Sequence, residues 1–417
     1  MTHTSVSELL EGELEELLIA GSDVRVEVRP TGLNKYGCAP HPRDAFPLGS
    51  CTSSSPTPMA MRAVSEARGV LREAHARGRL VEFAHQTLER LRIELASLLR
   101  LDQVPGARIV FTPSGTDAEL WASVLALGDG DTLRNIIVGP LEVGSGTELA
   151  AQGRHFSTTT PSGFPCEKGV SVDEGLSARI VTKTILLRDV QGEMRTPEEL
   201  NAEAVTLVEE AIEAHERVLL HIVAHSKTGV HAPSLETVHK LVERFGDTVS
   251  VLVDAAQGRF SRRGLVEILD RGYMVLITGS KFYGGPPFSG ALVVSPSMEP
   301  RIRAARLPPG AKTYFTAGEL PSDGAWVRLR GQLDDAPNLG LLARWTAAIA
   351  EIRAYYQADE RARYRILRAF EVMVPELLAS SPHITLHAVA PKAFESDRLR
   401  LLESKTTVYP FILVKEG

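Results

Sequence analysis

The sequence has little cysteine. Cys38, Cys51 and Cys166 are its only three, widely spaced and in no CxxC pair. That excludes a disulfide framework or a cysteine-rich zinc site and fits a reducing, cytoplasmic setting. It also has no excess of positive charge. Lys plus Arg number 46 against 52 Asp plus Glu, a net charge of −6, so neither nucleic acid nor an anionic membrane is expected as its main partner. It has no run of about 18 apolar residues, so no transmembrane helix is expected. The acidic start, MTHTSVSELLEGELEELL, lacks the basic and apolar regions of a signal peptide. HExxH, a complete GxxxxGKS/T and GxGxxG are all missing. Zinc hydrolase, P-loop NTPase and Rossmann dehydrogenase readings lose their motifs, and no metal is expected.

What is present is ordinary for a globular chain: 43% apolar and 24% charged residues. Its 417 residues suit two domains, or one large α/β domain with an appendage. Leu9, Leu10, Leu14, Leu17 and Leu18 recur at helical spacing and predict a helix over 1–20. Residues 29–58, rich in Pro, Gly, Ser and Thr, read as a long loop of the kind that carries function. Helices are expected over 59–78, 85–100, from 117, near 147–152 and from a Thr196 cap. Strands are expected at 108–111, 135–139, 180–187, 217–224, 249–253, 274–278 and 291–294. Continuous apolar strands alternating with helices predict an α/β fold, a mostly parallel central sheet covered on both faces. Past about 335 the rhythm changes to two long helices over 338–380 and the short strands of HITLHAV and TVYPFILV. The expected organisation is an N-terminal helix and covering segment, 1–58, a large domain, 59–330, and a smaller α+β domain, 331–417. Such a small domain usually adds a helix and another strand, so an end at Gly417 predicts a short form.

Three features carry chemistry. VLVDAAQ, 251–257, is an apolar strand ending in Asp254, where the strand ends of an open α/β sheet line a ligand crevice. A carboxylate there wants a cationic partner. MVLITGSKFY, 274–283, ends the next strand in a turn holding Lys281, and a lysine held in a crevice suits Schiff-base chemistry. FTPSGTD, 111–117, joins a strand to a helix with hydroxyls and free amides, an anion site without the Walker lysine. Singly, each has a plainer reading: a turn Asp, a solvated Lys, an ordinary βα turn. In this order on one chain they are the parts that hold pyridoxal 5′-phosphate (PLP).

With HSKTGVHAP, 225–233, between them, these stretches resemble the fold-type I PLP enzymes, most of all the class V aminotransferase and cysteine desulfurase branch. The likeness covers about 108–295, nearly half the chain. It implies that Lys281 forms the Schiff base and later shuttles a proton, and that Asp254 binds the pyridine nitrogen. It further implies that Ala256 packs on one ring face and Gln257 bonds the ring 3′-oxygen. Ser114, Gly115 and Thr116 would cradle the phosphate, with Thr278 and Ser280 contacting phosphate or substrate. Ser226 takes a place often held by Asn near the ring oxygen. His225, Asn34 and Arg306 are substrate candidates, whereas His221 reads as a core histidine.

There are departures. Ser280 stands where desulfurases often carry His, and no Cys follows Cys166 to carry a persulfide. The region that usually stacks a ring on the cofactor reads PLEVGSGTE, with Glu142, Val143 and Gly144. The family's late carboxylate-binding Arg has only Arg398 and Arg400 as nearby counterparts. Tyr314 and Phe315 are expected near a subunit interface. The resemblance implies a homodimeric enzyme acting on a small amino-acid substrate, first an aminotransferase. Alternatives are a β- or γ-elimination lyase, and a PLP-binding relative that does not catalyse.

Overall fold

The computed structural model describes residues 5–45, 53–386 and 407–414. Its centre is a seven-stranded sheet of β1 (Arg108–Thr112), β2 (Leu133–Val138), β3 (Ile180–Ile185), β4 (Arg217–Val223), β5 (Val249–Asp254), β6 (Met274–Thr278) and β7 (Gly290–Val294). The order is β1-β7-β6-β5-β4-β2-β3. The expected α/β class is the observed one. From β6 through β3 all neighbours are parallel, while β7 runs antiparallel to both β6 and β1. The Gly- and Pro-rich link 279–289 holds no crossover helix, so β7 must return beside β6 antiparallel. As a result β1, β6, β5, β4 and β2 all end on one side of the sheet.

The inner strands are buried on both faces, which is why they read as continuous apolar runs, while the edge strand β3 is partly exposed. One face meets the helix Gly115–Leu127, whose Trp121 packs on Phe315 with ring centroids 4.9 Å apart. The other meets the helices Pro58–Ala76, Leu80–Leu98 and Leu339–Gln357. There Trp345 lies 4.8 Å from Phe111 and donates to Gly290 O at 3.0 Å. Tyr314 and Phe315, expected near a subunit interface, are buried within this chain.

The helix expected over 1–20 is two, Val6–Glu11 and Leu14–Ile19. Gly12 is extended and its carbonyl accepts from Arg68, so the helical ladder stops there. Residues 18–21 cross the start of Leu339–Gln357, where a Cβ on Gly340 would lie 1.9 Å from Ala20 O. Arg344 is buried and donates to the carbonyls of Leu18, Ala20 and Gly21. At the far end, Glu360–Ala379 leads to a small antiparallel pair, Ile384–Leu386 with Phe411–Leu413. Among the described residues no helix is long and apolar enough to cross a membrane, and no side-chain group is suited to hold a metal ion.

Candidate active site

A cleft of about 130 Å³ opens where the strands end. Asp254 closes β5 and Thr278 closes β6, the strand beside it. After β1 the chain turns through Ser114, which caps the helix Gly115–Leu127 by accepting from Asp117 N. Gly115 and Thr116 open that helix, where no intrahelical carbonyl is in reach of their amides. Three sequence segments far apart in the chain thus meet in one cleft, lined by Ser114, Gly115, Thr116, Asp254, Thr278 and Lys281. Ala256, Gln257, Ser280 and His225 line it as well.

Asp254 is 8% exposed, and its carboxylate accepts from Ala256 N at 3.0 Å. Burial raises its pKa above the ordinary carboxylate range, against the pull of Lys281 and Lys227. A cation placed against this carboxylate would relieve that cost. Deeper in the wall stands Glu119, 1% exposed, with neither carboxyl oxygen hydrogen-bonded among the described residues. Burial, then the nearby Asp254, push its pKa well above the usual range, which disfavours a charge there. Its Oε2 is 3.7 Å from His221 Nδ1. His221 Nε2 meets Asn135 Oδ1 at 2.8 Å, and burial lowers this imidazole to about 3. His221 is a buried, neutral, partnered histidine, as expected. His225 is likewise lowered to about 3, by burial first and then by Arg259 and His231. Its Nδ1 is buried with no hydrogen-bond partner among the described residues.

Other expected residues have defined work elsewhere. Thr278 Oγ1 donates to Ala256 O at 2.7 Å, and Gln257 Oε1 accepts from Arg259 at 2.7 Å. Ser226 does not line the cleft. It is buried in the turn after β4, donating to Glu142 Oε2 and accepting from the amides of Thr228 and Val230. Glu142 does line the cleft, held by Arg188 Nε at 2.8 Å. Asn34 accepts from the amides of Tyr36 and Cys38 and borders a separate small cavity. Arg306 is exposed and away from the cleft wall. Arg398, Arg400 and Cys51 lie outside the described residues. Cys38 is buried, which raises its thiol pKa.

The largest feature missed in the sequence is Arg25. It enters from the N-terminal segment and lines the cleft beside Ser114 and Thr116. No motif surrounds it: Asp23 is a near partner, but Ser114, Thr116, Phe156 and Phe288 come from about 90 and more positions away. Of the cleft rings, Tyr36 comes from the same N-terminal segment and Phe288 from the link before β7.

The geometry suits PLP. It offers a helix start with hydroxyls for a phosphate, a buried carboxylate wanting a cation, and an amine. Small residues keep the cradle open: a Cβ on Gly144 would lie 2.9 Å from Thr147 Oγ1 and 3.7 Å from Thr116 Oγ1.

No family model matches the chain, and neither does any curated protein. Among solved structures, the chain is similar to a complex of the cystine C-S lyase C-DES with its reaction product, cysteine persulfide. The TM-score is 0.50 at 16% identity, covering 82% of this chain and 81% of that one. It is also similar to a lysine-to-alanine mutant of C-DES with glycine covalently linked to the PLP cofactor. There the TM-score is 0.51 at 15% identity, over 81% of this chain and 78% of that one. At these identities the likeness establishes a shared fold.

Proposed function

We propose that this chain is a PLP-dependent enzyme acting on an amino acid, with Lys281 as its reactive amine. The observation that carries this is the meeting of Lys281, Asp254 and the Ser114–Gly115–Thr116 helix start in one cleft. The likeness of fold to PLP-bearing structures supports it. When bound, PLP supplies an electrophilic carbonyl for an amine and an electron sink for the carbon beside that amine.

The chain's own residues then have distinct tasks. The Gly115 and Thr116 amides, with the Ser114 and Thr116 hydroxyls, hold the phosphate at the positive end of the helix. Asp254 keeps a proton on the ring nitrogen, and its burial strengthens that pairing. Ala256 gives one ring face a small apolar floor. Lys281 Nζ takes a proton from the substrate α-carbon and returns it elsewhere. Burial and the nearby Asp254 disfavour a charge on Glu119, which keeps a second negative charge away from Asp254.

Amino transfer is the first reading. Elimination is the second, favoured by the fold shared with a C-S lyase. We also propose a homodimer. The test begins with purified protein, PLP and borohydride, followed by peptide mass mapping, in wild type and Lys281→Ala. A cofactor mass on the Lys281 peptide is expected. Wild-type protein that takes up no PLP overturns the reading. A panel of amino acids then separates the two reactions: transfer consumes a 2-oxo acid acceptor, whereas elimination releases ammonia with none. Cofactor uptake without turnover would identify a non-catalytic relative.

A further inference from the structure

We infer that Arg25, carried by the N-terminal segment, is the cation that receives the phosphate in this cleft. The inference rests on the PLP reading and adds to it a ligand from outside the sheet.

The guanidinium is 7% exposed, and its position is fixed from every side. Nε and Nη2 clasp both oxygens of Asp23 at 2.6 to 2.9 Å. Nη1 reaches Thr116 Oγ1 at 3.2 Å, and Nη2 reaches Ser114 Oγ at 3.1 Å. Its carbon lies 4.7 Å from the centroid of Phe288 and 5.1 Å from that of Phe156. Asp117 Oδ2 is 3.9 Å away. A buried charge is costly unless its geometry is satisfied, and here that cost is met by a planar clamp of ring, carboxylate and hydroxyls.

The segment bearing Arg25 is itself anchored. Asp23 accepts from Arg25 N, Val24 N donates to Thr159 Oγ1, and Arg344 and Asn338 hold the carbonyls just before. The fork is therefore preorganised, and little side-chain entropy is left to lose on binding.

The two hydroxyls that Arg25 touches flank the open amides of Gly115 and Thr116. An anion seated on those amides meets the guanidinium edge. A phosphate has three terminal oxygens to share among amides, hydroxyls and guanidinium; a carboxylate has two. Glu119, buried and unbonded in the same wall, independently marks the cleft as a place for a ligand. Among the described lining residues the other full cations are Lys227 and Lys281, on the β4 and β6 sides.

The experiment compares PLP with pyridoxal, which lacks the phosphate, on wild type, Arg25→Gln and Arg25→Lys, using equilibrium dialysis and absorbance. Loss of one charged contact predicts a PLP Kd raised about 10- to 100-fold in Arg25→Gln. Pyridoxal affinity is expected unchanged, and Arg25→Lys intermediate. Inorganic phosphate should compete with PLP in wild type and much less in Arg25→Gln. Circular dichroism confirms that the variants are folded; if Arg25→Gln is not, Arg25→Lys carries the comparison. Equal losses for PLP and pyridoxal would assign Arg25 a merely structural role and overturn the inference. Unchanged PLP binding with weakened glycine binding would move Arg25 to a substrate carboxylate and overturn it too. Wild type that binds neither PLP nor pyridoxal would fail the functional reading, a different result from either.

Discussion

Gly290 and Ser114 meet backbone to backbone: a Cβ on Gly290 would lie 2.3 Å from the Ser114 carbonyl carbon and 2.7 Å from Gly115 N. The first residue of β7 thus forms the back wall of the phosphate turn. Gly290→Ala must push two main chains apart. A loss of about 1–3 kcal/mol in stability is expected from such overpacking, read by urea unfolding. PLP affinity should fall with it, because the displaced atoms are the proposed anion ligands.

Ser226 bridges Glu142 to the turn after β4. Thr228 Oγ1 also donates to Glu142, and Arg188 holds its other oxygen. Glu142→Ala would remove the acceptor shared by the Ser226 and Thr228 hydroxyls, of which Ser226 is fully buried, and free Arg188. A cost of about 1–3 kcal/mol follows. Glu142→Gln should lose less, because it keeps an acceptor for one hydroxyl. Thermal unfolding of the three proteins orders them wild type, Gln, Ala.

Asp117 gives a pH signature. Burial raises its pKa to about 7, opposed by Arg25 and by the hydrogen bonds of Ser114, and reinforced by Asp23. Its folded pKa is above its unfolded one, so the folded state holds a proton the unfolded chain has released. This contribution to stability is full below about pH 4 and is lost as pH rises through about 7. Its size is on the order of 4 kcal/mol if taken alone. Asp117→Asn should flatten the stability slope between those limits. Denaturant midpoints at several pH values measure it, and an unchanged slope would assign the proton to another group.

Asp254 and Lys281 separate electronics from attachment. Asp254→Ala should retain some PLP, because the phosphate contacts remain, but lose roughly 100-fold or more in kcat. Lys281→Ala should lose the borohydride-fixed product altogether. If Asp254→Ala turned over substrate like wild type, the carboxylate would not be the partner of the ring nitrogen.

Much of the fold was legible because its inner strands are buried on both faces. Residues 274–278 read as a strand from five apolar or β-branched residues alone, and β6 occupies them. The capping box at Thr196 and Glu199 likewise marked a helix start that the structure contains. The direction of β7 was not legible from its own residues; it follows from the short link before it. The N-terminal leucine pattern hid a break because periodicity carries no sign of the extended Gly12. At the site, FTPSGTD, VDAAQ and ITGSK could be found because each lies at a strand end. Arg25 could not, since an Asp two residues before an Arg is common and the Ser114, Thr116 and Phe288 that complete its setting meet it only after folding. Arg306 looked suitable by type and sits exposed to water. Glu119 was lost among the apolar residues of its helix.

Arg344 Nη1 and Leu18 O are 326 positions apart in the chain. The segment before Arg25 therefore takes one anchor from the distant helix Leu339–Gln357, besides the one its Gly12 carbonyl finds on Arg68. Ser114, Thr116 and Thr159 also hold the Arg25 segment, and they lie much nearer in the chain. Closing the long loop from Leu18 to Arg344 comes late on entropic grounds. The contact with Arg344 therefore forms late, and a chain cut before residue 344 would hold the Arg25 segment through fewer anchors.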